Sequence, residues 1–287
     1  MAHPQIATFA RLATDNDAPT RMIYGQATKL SRTMHDIRYS AKRDEFYVGN
    51  PFAQAILTFP GAANGQESPI RIIQGLKTRL DKVDTLEIDD VNDEVMVPTG
   101  EEIVVHSITA NGNVAPLRVV EGGRDMGWIS GAGIAVDPVH NVLITDGSVV
   151  QPGQRGGGGR DSILIFDRTA SGKVKPLRII RGPKTGIQAI RQMQVNPKTG
   201  WIVIAQITSG GIPEPEGTFV GVYSIYDDGD VPPRWKIEGK PSNIMKKPRG
   251  VALNPNHKEL IVSDMRLNAV LTFSFPEIFD QEAKPPQ

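Results

Sequence analysis

Thirteen basic side chains fall in five recurring stretches of the chain, and together they have the chemistry of an anion-binding surface. They are Lys29, Arg32 and Arg38 in residues 26–39; Lys77, Arg79 and Lys82 in 76–88; Arg124 in 123–136; Lys184 and Arg191 in 183–195; and Lys240, Lys246, Lys247 and Arg249 in 240–253. Five acids share these stretches (Asp36, Asp81, Asp84, Glu87 and Asp125), an excess of eight positive charges in a chain whose 32 Lys and Arg balance its 32 Asp and Glu. Converging cations of this kind concentrate a polyanion such as a phosphate backbone, or the acidic surface of a protein partner. Trp128, in Gly127-Trp128-Ile129-Ser130-Gly131, would add a flat surface for stacking or anchoring. The candidate ligand or partner surface is therefore Arg32, His35, Arg38, Arg79, Trp128, Arg191, Lys246, Lys247 and Arg249. The alternative is that these are solvated loop residues, with acids elsewhere for solubility.

Other chemistry is thinly represented, and no cofactor is expected. With no cysteine there are no disulfides, thiolate metal sites or cysteine nucleophiles. The run Gly156-Gly157-Gly158-Gly159 between Arg155 and Arg160 lacks the Gly-Lys-Ser/Thr ending of a phosphate loop and reads as a flexible tip. The cluster Asp89-Asp90-Val91-Asn92-Asp93-Glu94 has an Asp-x-Asn-x-Glu spacing, but Val95 stands where a calcium loop needs glycine, and a hairpin turn explains it. Of the five histidines, His140 and His257 fall in turns and His106 in a strand. His35 alone neighbours the basic stretches, beside Asp36 and Arg38.

These stretches are positioned by an internal repeat. Pro-x-Arg-x-x-x-Gly occurs at 19–25, 69–75, 116–122 and 176–182, and a fifth copy at 233–239 carries Trp235 in place of Arg21, Arg71, Arg118 and Arg178. The successive prolines are 50, 47, 60 and 57 residues apart. A turn former follows each glycine at a near-constant offset (Ser40, Asp89, Asp137, Asn196, Asn254), three of them as Asp-Pro or Asn-Pro. Before each turn lies a first strand, such as 133–136 or 250–253, and after it a second, such as 142–145, 201–204 or 259–262. Third strands rich in β-branched and aromatic residues follow at 56–59, 103–108, 163–166, 220–225 and 269–273, and the Pro-x-Arg segment is the fourth.

Four short antiparallel strands per repeat of about fifty residues predict an all-β fold, a single β-propeller domain over residues 1–287. No apolar run approaches the length of a membrane span, so no membrane insertion is expected. The start, Met-Ala-His-Pro-Gln, does not read as a signal peptide. A cytoplasmic protein is expected on that basis, with a mature secreted domain as the alternative. The repeat unit, with Gly-Ile-Ala-Val-Asp-Pro-Val-His-Asn-Val-Leu-Ile-Thr-Asp at 133–146, resembles the NHL-repeat and lactonase-like propellers over nearly the whole chain. That architecture hosts scaffolds and enzymes alike, so the resemblance speaks to fold rather than function.

Five blades is the direct count, with six the alternative because residues 6–9 form an additional candidate third strand. In the five-blade reading, residues 19–25 supply the fourth strand of the C-terminal blade and close the ring. The resemblance implies that ligands bind the face formed by the blade-to-blade linkers and the loops between second and third strands. Two of those loops, 146–161 and 206–217, are long enough to form a lip. The favoured function is non-catalytic binding of an anionic polymer or a protein partner through the basic linkers. The enzyme alternative, a metal-dependent lactonase or lyase, would place a divalent cation on Asp36, Asp84 and Glu87, against the neighbouring Lys and Arg.

Overall fold

A computed structural model describes residues 4–32, 34–150, 160–208, 216–239 and 245–285. The fold is all-β, with five antiparallel blades in the β-propeller class, and the direct repeat count holds. The chain divides into two compact units, Met1–Thr99 with Val104–Arg118, and Gly100–Ile103 with Val119–Gln287.

In the first unit, β1 (Gln5–Thr8) pairs antiparallel with β2 (Arg21–Tyr24), and β3 (Ile37–Ser40), β4 (Glu45–Asn50), β5 (Ala55–Pro60) and β6 (Arg71–Gln74) form the first blade in that order. The second blade consists of β7 (Glu87–Asp89), β8 (Glu94–Pro98), β9 (Glu102–Ser107) and β10 (Arg118–Glu121), and the division between the units falls within its last two strands. In the second unit β11 (Trp128–Asp137), β12 (Val142–Val149), β13 (Ser162–Asp167) and β15 (Arg178–Ile180) make the third blade, while β14 (Gly172–Lys173) joins β10 in parallel. The fourth blade is β16 (Ala189–Asn196), β17 (Trp201–Ile207), β18 (Phe219–Ser224) and β19 (Trp235–Glu238). The C-terminal blade has three strands, β20 (Pro248–Asn254), β21 (Glu259–Asp264) and β22 (Ala269–Ser274), and a short helix α1 (Glu277–Asp280) follows.

The partner of the N-terminal strand corrects the sequence expectation. Residues 21–24 do form a strand of the fourth-strand type, but β2 is bonded to β1, with Ile6 opposite Ile23, and not to the C-terminal sheet. The additional strand read at residues 6–9 is what takes that edge.

Local signals explain the blades. Asp89 Oδ1 accepts the N–H groups of Val91 and Asn92, and Asp137 Oδ1 those of Val139 and His140, so each acid caps the hairpin turn that it opens. A second recurring device joins repeats. The third residue of a fourth strand bonds in parallel to the glycine of the next repeat's turn, at Ile23 with Gly65, Ile73 with Gly112, Val120 with Gly172 and Ile180 with Gly229. Gly65, Gly112, Gly172 and Gly229 all have positive φ, which glycine adopts at least cost.

Between blades the faces are packed with aliphatic side chains. Ile144, Ile163 and Ile165 of the third blade meet Ile190, Met193 and Ile204 of the fourth, and Val203, Val220 and Val222 meet Val251, Leu260 and Val262 of the fifth. Side chains of this size contribute about 1.5–3 kcal/mol each when fully buried.

The departure of Trp235 from the Pro-x-Arg pattern has a partner. Arg71 pairs with Glu45 and Arg118 with Glu94, each carboxylate being the first residue of the second strand. In the fourth blade that position is Trp201, and its ring meets Trp235 edge-on at 4.9 Å. An ion pair has been exchanged for an aromatic pair, and α1 covers it: Trp201 Nε1 donates to the Gln281 carbonyl at 2.6 Å.

Candidate anion site

Three first strands of the second unit, β11, β16 and β20, lie side by side, and each is bulged near its start. The irregularity falls between Ser130 and Ile134 in β11, between Ile190 and Gln192 in β16, and between Pro248 and Gly250 in β20. In β16 and β20 the extra residue is an arginine, Arg191 and Arg249. A bulge leaves its extra residue out of the ladder and re-aims its side chain, which is how two consecutive strands come to present guanidinium groups at the same position.

Opposite each bulge the second strand carries a polar side chain that holds the bulge itself or the linker entering it. Asp146 Oδ1 accepts the Gly133 N–H at 2.6 Å; Gln206 Oε1 accepts from Gln188 and Ala189 at 3.0 and 2.9 Å; and Asp264 Oδ2 accepts from Lys246 and Lys247 at 2.6 and 2.8 Å. Gln192, next after the bulge of β16, ties that strand to β20 by accepting the Val251 N–H at 2.7 Å. A Cβ on Gly250 would come within 2.8 Å of both Gln192 Oε1 and Ser263 Oγ, so glycine lets both side chains approach without being displaced.

Asp146 is the one member of this set that is both charged and fully buried, at 0% exposure. Burial pushes its carboxyl up to about 7, opposed by Arg160 and by backbone N–H groups. Its Oδ2 lies 3.9 Å from Arg160 Nε and accepts no hydrogen bond among the described residues. Arg160 is held where its carbonyl accepts the Ile190 N–H at 3.2 Å. Arg191 is half-buried, and its Nε is enclosed without a hydrogen-bond partner among the described residues. Burial, then repulsion from Arg249 and Arg160, holds its guanidinium below the usual range, and Asp146 alone opposes this. Arg160 and Arg191 thus share one carboxylate that is itself near half-protonation at neutral pH, and Arg249 adds a further positive charge beside Arg191.

The first unit uses its inner strands differently. Arg38 Nη1 donates to Asp36 Oδ1 at 2.5 Å and Nε to Glu87 Oε1 at 3.1 Å, all three side chains being buried. Burial pushes both carboxyls up and Arg38 pulls them down. Asp84 is not part of this group: it pairs with His35 Nδ1 at 3.0 Å and Lys82 Nζ at 2.8 Å. Arg38 occupies the place between Asp36 and Glu87 that a cation would need, and the three carboxylates of the metal alternative are not brought together.

The sequence-derived surface is therefore divided. Arg191 and Arg249 join in one site. Lys246 and Lys247 enter β20 beside it, half-buried and bonded through their backbone N–H groups to Asp264. Arg32 and Arg79 are exposed on linkers of the first unit, and His35 is half-exposed beside Asp84. Two expectations are corrected. Arg38 is an internal neutralising charge and not a surface group. Trp128 is 1% exposed: its ring packs on Phe166 at 4.7 Å and on Gly122, and its Nε1 donates to the Val174 carbonyl at 2.8 Å. The core position follows from β11 already starting at Trp128, so the residue belongs to a strand and not to a linker.

Arg160, Asp146 and Gln192 were not among the residues expected from sequence. A signal for Asp146 exists: a polar residue stands nine or ten positions after the turn former in three successive repeats, at Asp146, Gln206 and Asp264. Most of the long loops expected to form a lip, residues 151–159 and 209–215, lies outside the described residues.

No protein-family model matches the chain, and no curated protein matches it. Among solved structures it is similar to a chain of Kuenenia stuttgartiensis hydrazine synthase, with a TM-score of 0.53 and 12% identity over 80% of this chain. The match spans 55% of that longer chain, and at this identity the likeness concerns the propeller fold alone. No helix among the described residues is long and apolar enough to cross a membrane.

Proposed function

We propose that this propeller is a binding module that holds an anionic group of a polymer or of a protein partner between Arg160, Arg191 and Arg249. The observation that carries the reading is the use of the first-strand bulge for an arginine in two neighbouring blades, with Arg191 beside a buried carboxylate and Arg249 beside Arg191. Structural ion pairing would match each guanidinium with an acid, as Arg71 with Glu45 and Arg118 with Glu94. Among the described residues, Asp146 is opposed by both Arg160 and Arg191, with Arg249 repelling Arg191, and such a site gains stability when an anion enters.

The test is titration of the chain with inorganic polyphosphate and with poly-glutamate at low and raised salt. Binding that weakens with salt and is reduced at least about tenfold by Arg191→Ala or Arg249→Ala supports the reading. Arg32→Ala, an exposed cation of the first unit, is the control and is expected to retain binding. Equal loss in all three variants would indicate diffuse surface charge and overturn the assignment of a site.

A further inference from the structure

The repeat leaves one strand without its neighbour. Among the described residues, by their place in the repeat, six strands are third strands (β1, β5, β9, β13, β18 and β22) but only five are fourth strands (β2, β6, β10, β15 and β19). All five fourth strands are seated alike. The residue ahead of each donates its N–H to a third-strand carbonyl: Thr20 to Thr8, Ile70 to Thr58, Leu117 to Val105, Leu177 to Ile165 and Arg234 to Val222, all at 2.7–2.8 Å. The sixth third strand, β22, has β21 as its neighbour, and no other strand among the described residues joins that sheet.

The register shows what this edge would accept. Ala269, Leu271 and Phe273 face Asp264, Val262 and Leu260, and Phe275 N–H bonds the Lys258 carbonyl at 2.9 Å. The backbone groups of Val270, Thr272 and Ser274 therefore point to the other edge. Glu259 stands opposite Ser274 as Glu45 stands opposite Pro60, which puts Thr272 at the position of Thr58 and Val270 at that of Ile56. In the first blade Thr58 faces Arg71, Leu57 faces Ile72 and Ile56 faces Ile73. Ile56 is fully buried by this neighbour, whereas Val270 is 69% exposed. The carboxylate that receives the arginine begins three of the five second strands, as Glu45, Glu94 and Glu259, where the other two begin with Val142 and Trp201.

The chain's own segment of this pattern in the N-terminal ribbon is engaged on both edges, by β1 on one and by Gly65 on the other. We infer that the free edge of β22 is a strand-uptake site for an extended segment of a partner polypeptide. The segment carries Pro-x-Arg followed by two apolar residues, with the arginine opposite Thr272 and reaching Glu259. Main-chain bonds would hold the strand, and the Arg-carboxylate pair and two apolar contacts would set its register.

The experiment uses the full chain and a fluorescent peptide of residues 68–75, Ser-Pro-Ile-Arg-Ile-Ile-Gln-Gly, followed by anisotropy. Saturable binding is expected. A peptide with glutamate in place of its arginine, or the variant Glu259→Lys, should each lose about tenfold or more, and the two changes combined should restore binding. Thr272→Pro removes an N–H that points away from β21, so the sheet remains intact while uptake is blocked. Absence of saturable binding, or binding indifferent to both Glu259→Lys and Thr272→Pro, overturns the inference. So does a dimer of the chain that Thr272→Pro dissociates, since the edge would then belong to a second copy.

Discussion

Arg191 stands at the bulge of β16 where Arg249 stands at the bulge of β20, and each repels the other across adjacent strands. Like charges kept so close raise the energy of the folded state, so their removal has a defined sign. Arg191→Gln is expected to leave the melting temperature unchanged or raise it, most visibly at low salt, while abolishing polyanion binding. Thermal melting and titration on the same variant check both halves. A large destabilisation would mean that Arg191 is a packing residue.

Asp146 couples the same site to pH. Its folded-state value of about 7 lies above the 3.8 of an unperturbed carboxyl, so the folded chain binds this proton more tightly than the unfolded chain. Stability from this group is therefore fully present below about 3.8, falls as pH rises toward 7 and is level beyond it. Neutral Asp146 leaves Arg160 and Arg191 uncompensated, so anion affinity should strengthen as pH falls through about 7. Asp146→Asn keeps an oxygen for the Gly133 N–H and should remove both dependences. Binding and denaturant unfolding across this pH range measure them.

The first unit's inner charges predict the opposite kind of sensitivity. Removing Arg38 strands two buried carboxylates, and breaking a buried network of this kind costs about 3–5 kcal/mol. Arg38→Met should be strongly destabilised at neutral pH and partly rescued in acid, where Asp36 and Glu87 protonate. Denaturant unfolding at two pH values distinguishes this from a simple packing loss, which acid would not rescue.

How much of this was legible in the sequence differs by residue. Turn formers such as Asp137 and Asn196 act within a few positions, so the blades, their hairpins and the repeat showed at once. The partner of β2 did not, because Pro19–Gly25 carries the fourth-strand pattern whichever third strand it meets, and β1 reads as surplus to the repeat. Bulges were equally hidden: Arg191 and Arg249 were visible as cations in linkers, but a bulge is a mismatch between two strands and has no composition of its own. Arg160 sat beside a glycine run that looked like a mobile tip, and Trp128 looked like a linker residue because β11 begins earlier than its glycines suggest.

Two linker cations occupy backbone conformations that other repeats give to glycine. Lys29 and Arg79 close their 3-10 turns at φ 56° and 57°, where Gly127 and Gly186 stand at 79° and 71° in the corresponding turns. The left-handed region disfavours a side chain with a Cβ by about 1–2 kcal/mol, so Lys29→Gly should stabilise the chain by up to about 1 kcal/mol once the greater freedom of glycine in the unfolded state is deducted. Gly186→Ala should destabilise it by a similar amount, since its φ is unchanged in sign and a Cβ there would come within 3.4 Å of Phe219. Denaturant midpoints of the two variants measure the pair. If Lys29→Gly proves destabilising, the lysine side chain makes a stabilising contact that outweighs its backbone strain, and its exposure on the linker would then need a different reading from that of Arg32.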